Sequence, residues 1–186
     1  MSPLELLYDY ERRVHQRASS FPRHAETGDR WSGIAFRLGE DLMLAPMEQV
    51  AEILDPPQCT RVPGTRSWFM GIANVRGSLL PVTDLHGFAH SGRASNARNS
   101  RLLVYNKDGV RAGVRVDDVL GLRQFLLEES GNEQTDVHES LQPYIERTFR
   151  QGEQVWPVFS LALFADSRAF LQIGKTSGPA LEAVAS

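Results

Sequence analysis

The sequence is short of the residues that build covalent or metal-bound chemistry. A single cysteine, Cys59, stands in 186 residues, which excludes an internal disulfide and leaves nothing that needs an oxidising compartment. No apolar run approaches the ~20 residues that span a bilayer. The opening Met1-Ser2-Pro3-Leu4-Glu5 lacks a basic stretch followed by an apolar one, so no secretory signal is expected. Positive charge is not in excess either: 20 Lys and Arg face 23 Asp and Glu, for a net charge of −3. That excludes binding nucleic acid or anionic lipid by bulk charge alone. The expectation is a soluble cytoplasmic protein. With 41% hydrophobic and 23% charged residues, the composition is ordinary for a globular chain. The length suits one domain or two small β-rich lobes, with a core that needs neither metal nor disulfide.

Catalytic patterns are missing as well. Gly174-Lys175-Thr176 lacks the upstream glycine and the strand–loop–helix context of a phosphate-binding loop. Neither a dinucleotide-binding glycine pattern nor a nucleophile elbow occurs. Cys59 lies between Pro57 and Arg61 with no base assigned by the sequence, and reads as a structural cysteine. Of the five histidines (His15, His24, His86, His90 and His138), His86 and His90 have the i,i+4 spacing of two ligands on a helix face, with Asp84 nearby. Gly87 between them and the polar run that follows favour surface histidines and no metal. Asp117 and Asp118 fall in a strand-like stretch that points neighbours to opposite faces, so they make no catalytic pair. No motif here calls for a cofactor, and a small enzyme or metal site using His86, His90 and Asp84 stays as the third reading, behind protein-binding and nucleic-acid-binding ones.

Charge is unevenly spread. Residues 31–59 sum to −4, residues 60–123 to +6 and residues 124–156 to −5. A basic middle between acidic flanks fits internal complementarity, or two differently charged faces for two partners. An oligonucleotide-binding β-barrel is the alternative, using Arg93, Arg98, Arg101, Arg111, Arg115 and Arg123 with aromatics such as Trp31, Trp68, Phe69, Tyr105 and Trp156. Those aromatics fall mostly in apolar runs, where core packing is the simpler account.

Along the chain the hydrophobic period changes once. Leu4, Leu7, Tyr8, Val14 and Ala18 recur at helical spacing, with Ser2 as a cap and Pro3 in the first helical position. Residues 19–30 read as a linker. From Trp31 the period is two: Gly33–Leu38 and Leu42–Ala45 form a hairpin across Gly39-Glu40-Asp41. Met47–Leu54 is ambiguous between strand and short helix. Residues 86–100 read as a mobile surface loop. Arg101–Tyr105 and Val110–Val116 flank Asn106-Lys107-Asp108-Gly109, the clearest hairpin turn. Val119–Leu127 continues apolar, residues 128–139 are acidic and loop-like, and Tyr144–Phe149 with Val155–Phe159 make a last hairpin. Ser160 is placed to cap a short helix, and residues 174–186 lack pattern. Many short strands at close turn spacing point to small barrels rather than a parallel sheet.

The most specific stretch is Gly71-Ile-Ala-Asn-Val-Arg-Gly-Ser-Leu-Leu-Pro-Val-Thr-Asp-Leu85. Two apolar strands meet at Asn74-Val75-Arg76-Gly77, where Asn can bond nearby backbone and Gly can adopt positive φ. Arg76 is thereby held at the tip of a stiff hairpin. From chemistry alone it pairs equally well with a partner's carboxylate or with an acid of its own chain. Pro81 cannot donate to a ladder, so its strand has an open side or a bend there.

Asn74-Val-Arg-Gly77 followed by Leu80-Pro81-Val82 and Asp84-Leu85 resembles the signature of CheW-like coupling domains. Ile34–Gly39 through Ala45, Pro46 and Val50 is similar to the family's opening hairpin, and Arg101–Val104 through Gly113–Asp117 and Val119 to the hairpin of its second half. The leading helix, the Trp31-Ser32-Gly33 start and the Phe170–Ile173 ending are most similar to the version attached to type IV pilus twitching motility. The resemblance implies a mainly β fold of two five-stranded β-barrels sharing an apolar interface, over residues 31–173, preceded by the helix and linker of residues 1–30. It implies no catalytic activity. Its implied partners are the cytoplasmic tip of a methyl-accepting chemoreceptor and the regulatory domain of a CheA-type histidine kinase. Asn74, Arg76, Gly77 and Asp84 match the motif, and the family's tie between its arginine and receptor coupling falls on Arg76. The leading helix is absent from the minimal family pattern, and residues 124–143 are more acidic.

Overall fold

The computed structural model describes residues 29–90, 92, 97–107 and 109–174. The expected helix over residues 4–18, most of the linker and the tail beyond Gly174 lie outside the described residues.

Eleven strands form two sheets. β1 (Arg30–Leu38) and β2 (Asp41–Pro46) make the first hairpin, pairing Leu38 with Asp41. The chain then crosses to the second sheet through β3 (Glu52–Leu54), β4 (Phe69–Val75), β5 (Ser78–Asp84), β6 (Arg101–Lys107) and β7 (Val110–Val116). It returns to the first with β8 (Asp118–Leu126), β9 (Ser130–Gly131), β10 (Ile145–Gln151) and β11 (Gln154–Phe159). The first sheet has the order β8-β1-β2-β11-β10-β9 and the second β3-β6-β7-β5-β4. The first thus gains a sixth, two-residue strand over the five expected, because Ser130 and Gly131 pair with Phe149 and Thr148.

Neither sheet closes by hydrogen bonds, yet each curls until its ends approach. Trp31 on β1 stacks on Phe149 of β10 at 4.6 Å, and Phe125 of β8 stacks on the same ring at 4.9 Å. Strands that far apart in the order touch only in a rolled sheet. With Ala35, Leu44, Trp156 and Val158 these rings fill the first lobe. Ala73, Leu80, Val82, Leu102 and Val104 fill the second. The largest cluster lies between the lobes and includes Phe36 and Leu38 of β1, Leu103 of β6, Val114 of β7, and Phe159 and Phe164. β1 therefore buries both faces: Trp31 and Ala35 look into their own lobe, Phe36 and Leu38 toward the other.

The helices are short. α1 (Leu85–Ala89) opens the stretch expected to be a surface loop, and it forms because Leu85 and Ala89 enter the shared core. α2 (Leu161–Ala165) is capped by Ser160, whose side chain accepts from the Leu163 N–H. α3 (Arg168–Leu171) is capped in the same way by Ser167. The ambiguous Met47–Leu54 segment divides into a 3-10 turn at Met47–Gln49 and strand β3.

Candidate partner-docking site

The β4–β5 hairpin is closed by a two-residue turn. Val75 pairs with Ser78, and the intervening Arg76 and Gly77 have φ of 50° and 80°. Positive φ at both central residues is the turn whose twist matches antiparallel strands. The Asn74 side-chain oxygen accepts the Gly77 N–H at 2.9 Å, locking the turn from one side. Arg76 is the lone non-glycine residue at positive φ among the described residues. Holding a side chain there costs roughly 1 kcal/mol relative to glycine.

What that conformation achieves is display. The Arg76 side chain is 74% exposed, and its one ionic contact among the described residues is Glu52 Oε2 on β3 at 2.9 Å. β3 and β4 are the two edges of the second sheet, so this pair bridges the opening of the roll. Of the two pairings the sequence left open, the own-chain acid is the one present, and it lies 24 residues upstream where no local pattern marks it. The guanidinium keeps further donors for a second carboxylate. Beside the turn, Leu79 is 69% exposed. The β5–β7 ladder covers only Val82–Asp84, so Ser78–Pro81 has the open side anticipated at Pro81.

Asp84, the remaining motif residue, lies at the other end of β5. Its side chain is 5% exposed and faces Arg115 Nη1 at 3.5 Å, across the parallel β5–β7 register that pairs the two residues. The structure therefore brings Asn74, Arg76 and Gly77 together and puts Asp84 in a buried bracket between strands.

The candidates for other chemistry are placed elsewhere. His86 Nδ1 donates to Asp117 Oδ2 at 3.1 Å, and that oxygen also accepts the Gly39 N–H at 2.7 Å. Asp117 thus ties α1 to the β1–β2 turn, while Asp118 faces Arg37 at 3.3 Å. The His90 ring packs on His86 at 4.5 Å and on His138 at 5.1 Å. Burial pushes the His90 pKa down, and the two neighbouring imidazoles add to that. Asp84 faces Arg115 rather than this cluster, and no group of three His, Cys, Asp or Glu among the described residues converges on a metal position. Burial raises the Cys59 thiol pKa, which disfavours the thiolate. Tyr105, Phe69 and Trp156 are buried, and Arg101 and Arg115 are paired with Asp55 and Asp84. These aromatics offer no stacking platform for bases. Arg93 lies outside the described residues.

Comparisons with known proteins agree with this geometry. The CheW-like domain family matches residues 32–169. Protein PilI of Pseudomonas aeruginosa is 37% identical over 172 residues, covering 92% of this chain and 96% of that protein. Protein FrzA of Myxococcus xanthus is 40% identical over 89 residues, 48% of this chain and 56% of FrzA. The scaffolding protein TtCheW from Thermoanaerobacter tengcongensis superimposes with a TM-score of 0.64 at 23% identity, covering 73% of this chain and 93% of that one, which supports the fold. Two rolled sheets around a shared core, an arginine-tipped β4–β5 turn and these matches lead to one conclusion: the chain belongs to the CheW-like domain family.

Proposed function

We propose that this protein is a non-catalytic cytoplasmic adaptor. In this reading it couples the cytoplasmic tip of a methyl-accepting chemoreceptor to the regulatory domain of a CheA-type histidine kinase, in an array that controls type IV pilus twitching motility. The observation that carries it is Arg76, exposed at the apex of a turn that both Asn74 and Gly77 hold, with Leu79 open beside it. A charged donor fork next to an exposed aliphatic side chain is the kind of anchor that a small transient interface uses. Similarity to PilI over nearly the whole of both chains favours the pilus-linked version. Asp84 contributes indirectly, by bracing β5 against β7. No helix among the described residues is long and apolar enough to cross a membrane, so membrane recruitment runs through the receptor.

The test is Arg76→Glu. Its pair with Glu52 is exposed at the arginine and half-buried at the glutamate and contributes about 1 kcal/mol, so the variant melts within a few degrees of the parent. Receptor co-sedimentation and receptor-dependent kinase stimulation fall about tenfold or more. Unchanged coupling in a folded Arg76→Glu protein would remove the reading.

A further inference from the structure

Three distant segments enclose a cleft of about 290 Å³ lined by Arg66, Trp68, Phe88, Arg168, Ala169 and Gln172. Arg66 and Trp68 come from the loop before β4, Phe88 from α1, and the rest from α3 and its end. The walls are fixed by backbone bonds. The Arg66 N–H donates to the Ile173 carbonyl at 2.9 Å, and the Trp68 carbonyl accepts from the Asp84 N–H at 2.8 Å. Trp68 meets Phe88 edge-on at 5.3 Å, and Phe88 meets Phe164 at 5.2 Å. Gly87 permits this closeness, since a Cβ there would stand 3.3 Å from the Trp68 Cβ. The cleft is therefore preorganised rather than a gap between loose loops.

Its charge is uncompensated. Arg66 and Arg168 are both exposed, and neither makes an ion pair or a side-chain hydrogen bond with another described residue. Residues 60–68 contain Arg61 and Arg66 and no acid. The volume lies at the lower edge of the roughly 300–1,000 Å³ of small-molecule pockets, room for one or two side chains of a peptide. The cleft also sits at the opposite end of β4 from Arg76, about 20 Å away along a seven-residue strand.

We propose that this cleft is a second docking site that takes an acidic segment of a partner protein. A partner carboxylate bonds to the guanidinium groups of Arg66 and Arg168, and an adjacent apolar side chain lies against Trp68 and Phe88. The site is independent of the Arg76 turn, so either result here leaves the adaptor reading standing.

The experiment titrates the full chain at low ionic strength with acetyl-Glu-Glu-Leu-Phe-Glu-Glu-amide, following the tryptophan indole N–H resonances and the heat of binding. Saturable binding that shifts the Trp68 indole is expected. Arg66→Glu and Arg168→Glu each weaken it about tenfold, while Arg61→Glu, in the same loop but outside the cleft, changes it less than about threefold. Melting curves confirm that the variants are folded, as exposed sites allow. The proposal is overturned if no saturable shift occurs, or if the glutamine version of the peptide binds equally well. It is also overturned if inorganic phosphate or phosphatidylglycerol vesicles produce the same shift at lower concentration, which would make it a phosphate or lipid site.

Discussion

Arg76 and Asp84 belong to one motif and sit on one strand pair, yet their surroundings give them opposite roles. Arg76 is in water and can be reversed in charge at little cost to folding. Asp84 is sealed against Arg115, which is itself 15% exposed. Removing one partner of a buried ion pair leaves the other charge without compensation and costs about 3–5 kcal/mol. Asp84→Ala is therefore expected to lower the denaturant midpoint sharply, with any loss of coupling following loss of folded protein. The double variant Asp84→Ala with Arg115→Met recovers much of the stability, because both charges of the buried pair are gone. If Asp84→Ala instead folds normally and loses only coupling, Asp84 contacts the partner and the bracket assignment is wrong. The sequence could not separate these two roles. Both residues lie at the ends of largely apolar strands, and Arg115, the residue that decides the matter, is 31 positions away on a strand whose parallel pairing no local pattern reveals.

At the scale of elements, the hairpins were legible and α1 was not. β1–β2, β4–β5, β6–β7 and β10–β11 each set strand-length apolar or alternating runs about a short polar or glycine-bearing turn, so local chemistry and final pairing agree. α1 is five residues with Gly87 at its centre, too short for periodicity and poor in helix propensity. Its helix exists because Leu85 and Ala89 pack into the shared core, and it carries His86 and His90 toward Asp117, Asp41 and His138. That cluster has a pH signature. Burial first, then His86 and His138, lower the His90 pKa below 6.5, with Asp41 and Asp117 opposing. The unfolded chain thus binds the proton more readily than the folded one, so stability falls as pH drops through and below about 6.5. Burial raises the Asp41 pKa above 3.8, against the pull of His90 and His138 and with help from Glu40 and Asp136, so it acts in the opposite sense at more acidic pH. Melting temperatures from pH 7.5 to 5.5 should fall more steeply for the parent than for His90→Gln. Parallel slopes would mean that His90 titrates normally.

At the scale of the whole molecule, the surfaces proposed for recognition are incidental to its stability. Each rolled sheet has a small core, and the largest apolar cluster lies between them. The lobes therefore hold each other rather than standing as separate domains. Such a partition could not be read from alternation alone, since a strand buried on both faces, like β1, shows the same period whichever lobe claims each side. It also bears on the leading segment. Among the described residues, all three clusters are drawn from positions between Trp31 and Phe170, and the first tertiary backbone bond is the Asp29 carbonyl accepting from the Leu127 N–H at 2.9 Å. Deleting residues 1–28 spares that bond and every core side chain among the described residues. The shortened protein is expected to keep its β-sheet circular dichroism and to melt within about 4 °C of the full chain, the shift that roughly 1 kcal/mol produces at this size. If it unfolds or aggregates, the leading segment completes the core. If it stays folded but loses receptor or kinase binding, that segment is a third recognition element, appended to a body that does not depend on it.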